Sequence, residues 1–163
     1  MTPRQLYDEL VAQGCDPKNF QIEGLGGISD VYCLADRGGG RWEVFYSECG
    51  IESPPEFFSR DRSEAYEHFR TKILSIPHFH CVGFFHDEDA ADGLSKPLDS
   101  AGVGIRRDVI PYASATDLRH RIFVSGADVF EARRILGNDL PIRDIAPPLP
   151  AARHVPGAPR FRS

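Results

Sequence analysis

Between Arg41 and Leu74 the hydrophobic period changes from two to about 3.6, which restricts the chain to folds in which a helix packs across an antiparallel sheet. In Trp42–Glu48 the side chains alternate: Trp42, Val44 and Tyr46 fall on one face, Glu43, Phe45 and Ser47 on the other. An antiparallel strand with one face on a core has this pattern. Gly50, Pro54 and Pro55 then break the chain, and Phe57 and Phe58 predict a short strand returning to the sheet. Over residues 62–74 the apolar residues Ala65, Tyr66, Phe69, Ile73 and Leu74 form one stripe. Asp61 caps this helix with Glu64 three positions on, a capping box with Asp in place of Ser or Thr, and Pro77 stops it.

Elsewhere the local signals are shorter. Thr2 caps a first helix opened by Pro3, with Leu6, Leu10 and Val11 at helical spacing and Gly14 at its end. Residues 20–23 and 31–35 read as strands, and Arg37-Gly38-Gly39-Gly40 as a hairpin turn into Trp42–Glu48. Residues 79–85 are apolar, and period alone does not decide between a buried strand and helical packing. Residues 86–101 are polar and rich in turn formers, which predicts a mobile loop. The last third predicts a β-α-β unit: a strand at 121–125, a turn at Gly126, a cap at Asp128, a helix over 129–136 closed by Gly137, and a strand at 141–145. The expected fold class is therefore α+β: an antiparallel sheet with helices packed on one face, plus a C-terminal β-α-β extension. Residues 1–145 form a single α+β domain in this reading, and 146–163 a Pro-rich tail, extended or disordered.

Charge is unevenly placed. Residues 1–92 hold 17 acids against 8 Lys and Arg, a net −9, while 93–163 hold 7 against 11, a net +4. The acidic half repels nucleic acid and favours a basic partner surface. The arginines of the second half are scattered with no aromatic ladder beside them, so no nucleic-acid partner is expected. Apolar runs are too short for a membrane span, so no membrane partner is expected either. The opening MTPRQLYDEL carries acids and no apolar core segment, so the expected compartment is cytoplasmic. Cys15, Cys33, Cys49 and Cys81 form no CxxC pair, which argues against zinc, and a cytoplasmic setting argues against disulfides.

Reactive signatures are weak. Gly24-Leu25-Gly26-Gly27 is followed by a strand and lacks a GK[ST] ending, so it reads as a connector and not a phosphate loop. No GxSxG elbow occurs. His78 and His80 share one face of a strand, with His86, Asp87 and Asp89 following; His78, His80 and His86 make up the alternative reading, a small metal-dependent enzyme.

Two stretches carry resemblances. The segment RIFVSGADVFEARRILGNDLPIRDI is similar in local shape to the opening β-α-β of inosine-triphosphate pyrophosphatases. Ala127, Asp128 and Val129 stand where that family has its lysine turn, so no nucleotide function follows. The run RWEVFYSECGIESPPEFFSRDRSEAYEHFRTKIL resembles bacterial immunity-type proteins encoded beside polymorphic or type VI secreted toxins. The likeness rests on a strand of the form W-E-V-x-Y-S-E-x-G, a phenylalanine strand, and a helix with an acidic start at Ser63-Glu64-Ala65. It implies a non-catalytic cytoplasmic protein, needing no cofactor, that binds a cognate toxin domain and masks its active site. Candidate contact residues are Glu48 and Glu52 at the strand end, with Asp87, Glu88 and Asp89 in the acidic loop.

Overall fold

The computed structural model describes residues 1–144; the tail expected at 146–163 lies outside them. Helix α1 (Pro3–Ala12) is followed by a 3₁₀ turn (Pro17–Asn19) and strands β1 (Phe20–Ile22), β2 (Leu25–Gly26), β3 (Val31–Asp36), β4 (Trp42–Glu48), β5 (Ile51–Glu52) and β6 (Phe57–Ser59). Helix α2 (Arg62–Ser75) leads to β7 (Phe79–Phe85), α3 (Glu88–Ser100), β8 (Ile105–Pro111), β9 (Leu118–Ser125), α4 (Asp128–Leu136) and β10 (Ile142–Arg143). The fold is α+β, and its strands divide between two sheets where one was expected. The first has the order β2-β1-β3-β4-β5 with β6 also on β4; the second has the order β10-β7-β9-β8. Pairing is antiparallel except for β1 with β3 and β10 with β7. No helix among the described residues is long and apolar enough to cross a membrane.

The alternation in β4 sorts its side chains as the pattern requires. Val44 lies with Leu34, Phe20 and Ile22 in a core closed by Leu6 and Leu10 of α1 and by Ala65, Tyr66, Phe69 and Ile73 of α2. Leu74, counted with that stripe from the sequence, is 40% exposed at its edge. Thr2 and Gln5 complete a capping box on α1; on α2 the Asp61 carboxylate accepts from the Ser63 N–H at 2.8 Å, but the Asp61 N–H donates to the Ser59 hydroxyl and Glu64 accepts from that hydroxyl, so the box expected there does not close. On the opposite face Val31, Cys33 and Phe45 are also buried, beneath Arg37, whose guanidinium lies 4.4 Å from the Phe45 ring centroid. Arg37 is pinned there by Glu43 at 3.1 Å and Glu52 at 2.6 Å. One arginine thus covers a sheet face on which no helix among the described residues packs.

The second sheet corrects two expectations. Residues 86–101 are mostly helix, not loop: Asp87 caps α3, and Ala91, Leu94, Ser95 and Leu98 bury one face of it. Gly93, Ser95 and Pro97 hid this stripe, yet Pro97 stands in the last turn, where its missing N–H forfeits a single bond. The C-terminal segment is not a separate β-α-β unit either. Strands β9 and β10 are not neighbours; β10 pairs with β7, to which β9 is antiparallel, so β9 and β10 run in opposite directions. With β7-α3-β8 ahead of them, the whole is β-α-β-β-α-β in chain order, with both helices over one face. The split-βαβ arrangement has this strand order but the opposite direction for its last strand. Asp128 proves to be the first residue of α4, whose cap position is Ala127 with no side-chain bond.

Phe69 is fully buried where α2 meets β1, edge-on to Phe20 at 6.4 Å. Phe69→Ala is expected to lower unfolding free energy by about 3–5 kcal/mol, read from the shift of the urea midpoint at constant slope.

Candidate functional site

The last β3–β4 pair is Val31 with Ser47, so the loop before β3 and the turn after β4 emerge at the same end of the first sheet. Glu48 pairs with Ile51 across a two-residue turn, Cys49-Gly50, both at positive φ (49° and 79°), the backbone that matches strand twist in tight hairpins. Asp30, in the facing loop, is also left-handed at φ 57°, a conformation Asp tolerates better than most residues. Two large apolar side chains stand out at this tip, Ile28 at 87% and Ile51 at 75% exposure. Asp30 and Glu48 flank them. Burial, reinforced by Asp30 and Glu48, pushes the Tyr46 phenol above its ordinary range, which places both carboxylates within electrostatic reach of that ring. The tip thus presents two exposed isoleucines and two carboxylates on tightly specified backbone.

The five predicted acids divide between the sheets. Glu48 belongs to the tip. Glu52 pairs across from Ser47, but its carboxylate is held by Arg37, so it serves the covered face of the sheet. Asp87, Glu88 and Asp89 lie on the second sheet's side of the molecule and not in a loop. Asp87 accepts from the Ala90 N–H at 3.2 Å, and Glu88 and Asp89 occupy the first turn of α3, where negative charge meets the positive end of the helix dipole. Asp144 accepts from the backbone N–H groups of His86 and Asp87 at 2.9 and 2.8 Å, tying the end of β10 to the start of α3. Backbone hydrogen bonds hold its carboxyl below the usual range despite some desolvation.

The histidines do not converge. His78 is buried; its Nδ1 accepts from the Asp16 N–H at 3.0 Å, which leaves Nε2–H to donate to the Ile73 carbonyl at 2.8 Å. His80 donates through Nε2 to the Gly14 carbonyl at 2.8 Å. His86 faces Asp117 at 3.9 Å instead. Among the described residues no group of three or more His, Cys, Asp or Glu side chains is placed to hold a metal ion.

Among several surface depressions of about 370–460 Å³, two gather charged side chains from different elements. One of about 410 Å³ lies between α1 and α2, beside the Arg70–Glu9 ion pair and the buried Tyr66 hydroxyl, which has no hydrogen-bond partner among the described residues. The other, about 460 Å³, lies where the 3₁₀ turn approaches β7, β9 and β10, and gathers Lys18, Arg121, Arg133 and Arg143 around Phe84 and Phe123. The sequence did not reveal this second site because its cations come from four separate elements, the 3₁₀ turn, β9, α4 and β10, which only the fold brings together.

No family model matches the chain, and no curated protein or solved structure matches it.

The four thiols are free and differ in environment. Burial raises those of Cys15 and Cys81, and burial with the nearby Glu52 charge pushes Cys33 up to about 11. Cys49 is exposed on the tip. One thiol per chain is therefore expected to react rapidly with an aromatic disulfide reagent at pH 8, and Cys49→Ser to remove that fast phase while leaving the slow ones.

Proposed function

We propose that this chain is a non-catalytic immunity-type protein that binds a cognate secreted toxin in the cytoplasm and covers its active site. The observation that carries the reading is the tip of the first sheet. Inhibitory interfaces centre on a few desolvated anchors enclosed by a polar rim; Ile28 and Ile51 supply anchors, and Asp30 and Glu48 supply the rim. The strand that resembles immunity-type proteins ends in Ser47-Glu48-Cys49-Gly50, so residues carrying the resemblance build the β4–β5 side of the tip. A narrow acidic projection complements the basic cleft of an enzyme acting on nucleic acid or nucleotides, and its charge accelerates encounter. Because the turn is pre-shaped, little ordering entropy opposes binding.

The test is co-expression with the toxin domain encoded by the adjacent gene, followed by binding kinetics on the purified pair. Wild-type protein is expected to protect cells and to associate more slowly as salt rises. Ile51→Arg is expected to weaken the complex by about 30-fold or more through faster dissociation, and Glu48→Lys to slow association chiefly at low salt. Failure to protect, or an association rate indifferent to both salt and Glu48→Lys, would overturn the reading.

A further inference from the structure

Both helices of the second sheet cover one face, burying Ile122 and Val124; the other face carries a different population of side chains. Register places them in rows. Arg143, Phe84, Arg121 and Asp108 stand side by side across β10, β7, β9 and β8, and Cys81, Phe123 and Arg106 form the next row. Each aromatic ring here has a guanidinium over it: Arg143 on Phe84 at 4.6 Å, Arg121 on Phe123 at 5.0 Å, Arg106 on Phe79 at 5.1 Å and Arg119 on Tyr112 at 5.2 Å. Phe79 and Tyr112 are 39% and 47% exposed.

The charge on this face is not balanced from within. Asp108 is held by Arg121, Asp117 by Arg119, and Asp16 caps the 3₁₀ turn through the Lys18 N–H. Among the described residues Lys18, Arg106 and Arg143 have no ion-pair partner, nor does Arg133 of α4 at the edge of this face. The chain beyond Asp144 adds Arg153, Arg160 and Arg162 and no carboxylate side chain, so it is no charge match for the face beside which it departs.

We propose that the helix-free face of the second sheet binds single-stranded nucleic acid. Exposed rings and guanidinium planes offer stacking surfaces for bases, and unpaired cations at the margins offer contacts for phosphates. Four strands about 4.8 Å apart span roughly 15 Å, room for two or three unstacked bases. The scattered arginines that argued against nucleic acid in the sequence are brought together with aromatics only by strand pairing. The site is independent of the tip on the first sheet.

The test is fluorescence anisotropy of labelled dT12 and U12 oligonucleotides with the full chain, at 50 and 300 mM NaCl. Binding is expected in the micromolar range at low salt and to weaken by about 40- to 150-fold at high salt, as three or four phosphate contacts require. Arg106→Glu with Arg143→Glu is expected to cost at least about 10-fold and to flatten the salt dependence. Phe84→Leu with Phe123→Leu keeps apolar volume, with folding checked by circular dichroism, and is expected to weaken binding at unchanged salt slope. No anisotropy change at 50 mM NaCl, wild-type binding by the double-charge variant, or equally effective displacement by polyglutamate, the mark of an acidic protein surface or a second copy's acidic tip, would each overturn the proposal.

Discussion

The arrangement of the two sheets depends on one buried imidazole. His78 sits between the C-terminal turn of α2 and the start of β7, and its ring uses both nitrogens on backbone groups of the first half, the Asp16 N–H and the Ile73 carbonyl. Its own carbonyl accepts from the Gly126 N–H at 2.8 Å, in the turn between β9 and α4. His80 repeats the link two residues on, to Gly14 at the end of α1. Gly14 completes the joint by what it lacks. At φ +89° a Cβ there would lie 2.3 Å from the Ala127 nitrogen, so only glycine lets the end of α1 meet the β9–α4 turn. Each buried hydrogen bond adds about 1 kcal/mol net, but an orphaned donor or acceptor costs about 1–3 kcal/mol, so the joint is held more firmly by what breaking it would leave unpaired.

That joint fixes two surfaces of opposite character on one body. The first sheet ends in an acidic tip with isoleucine anchors, and the second opens a basic, aromatic face. The division runs with the chain's charge asymmetry: Asp30 and Glu48 of the first half rim the tip, and arginines of the second half line β8, β9 and β10. The two surfaces differ in chemistry without any moving part between them.

The parts legible in the sequence were those whose signals are local. The period-two alternation of Trp42–Glu48, the capped stripe of α2, the Thr2 cap of α1 and the short strand at Phe57–Ser59 all depend on neighbours within one or two turns, and each stands where its pattern put it. Pairing partners were not legible, because register between β7 and β9 spans some forty residues and leaves no local mark. That is why a two-sheet molecule read as one sheet with an extension. Helix α3 was lost because Gly93, Ser95 and Pro97 are turn formers by composition, yet Leu94 and Leu98 between them are buried. For the tip, Glu48 was identified, but Ile28 and Asp30 were not: they lie in a glycine-flanked loop that becomes a surface only when β3 pairs with β4. Joint residues His78 and His80 were singled out as metal candidates from their spacing; the same spacing serves two backbone contacts.

The most direct test of a body unified by the His78 joint uses the sole tryptophan, Trp42, which reports on the first sheet alone. Urea unfolding followed by its fluorescence is compared with amide-exchange protection of β7 and β9 measured by mass spectrometry across the same urea series. The account predicts coincident transitions in the wild-type protein that separate in His78→Ala, with the second sheet opening at a different urea concentration from the first. Separate transitions in the wild type, or coincident and unshifted ones in His78→Ala, would contradict it.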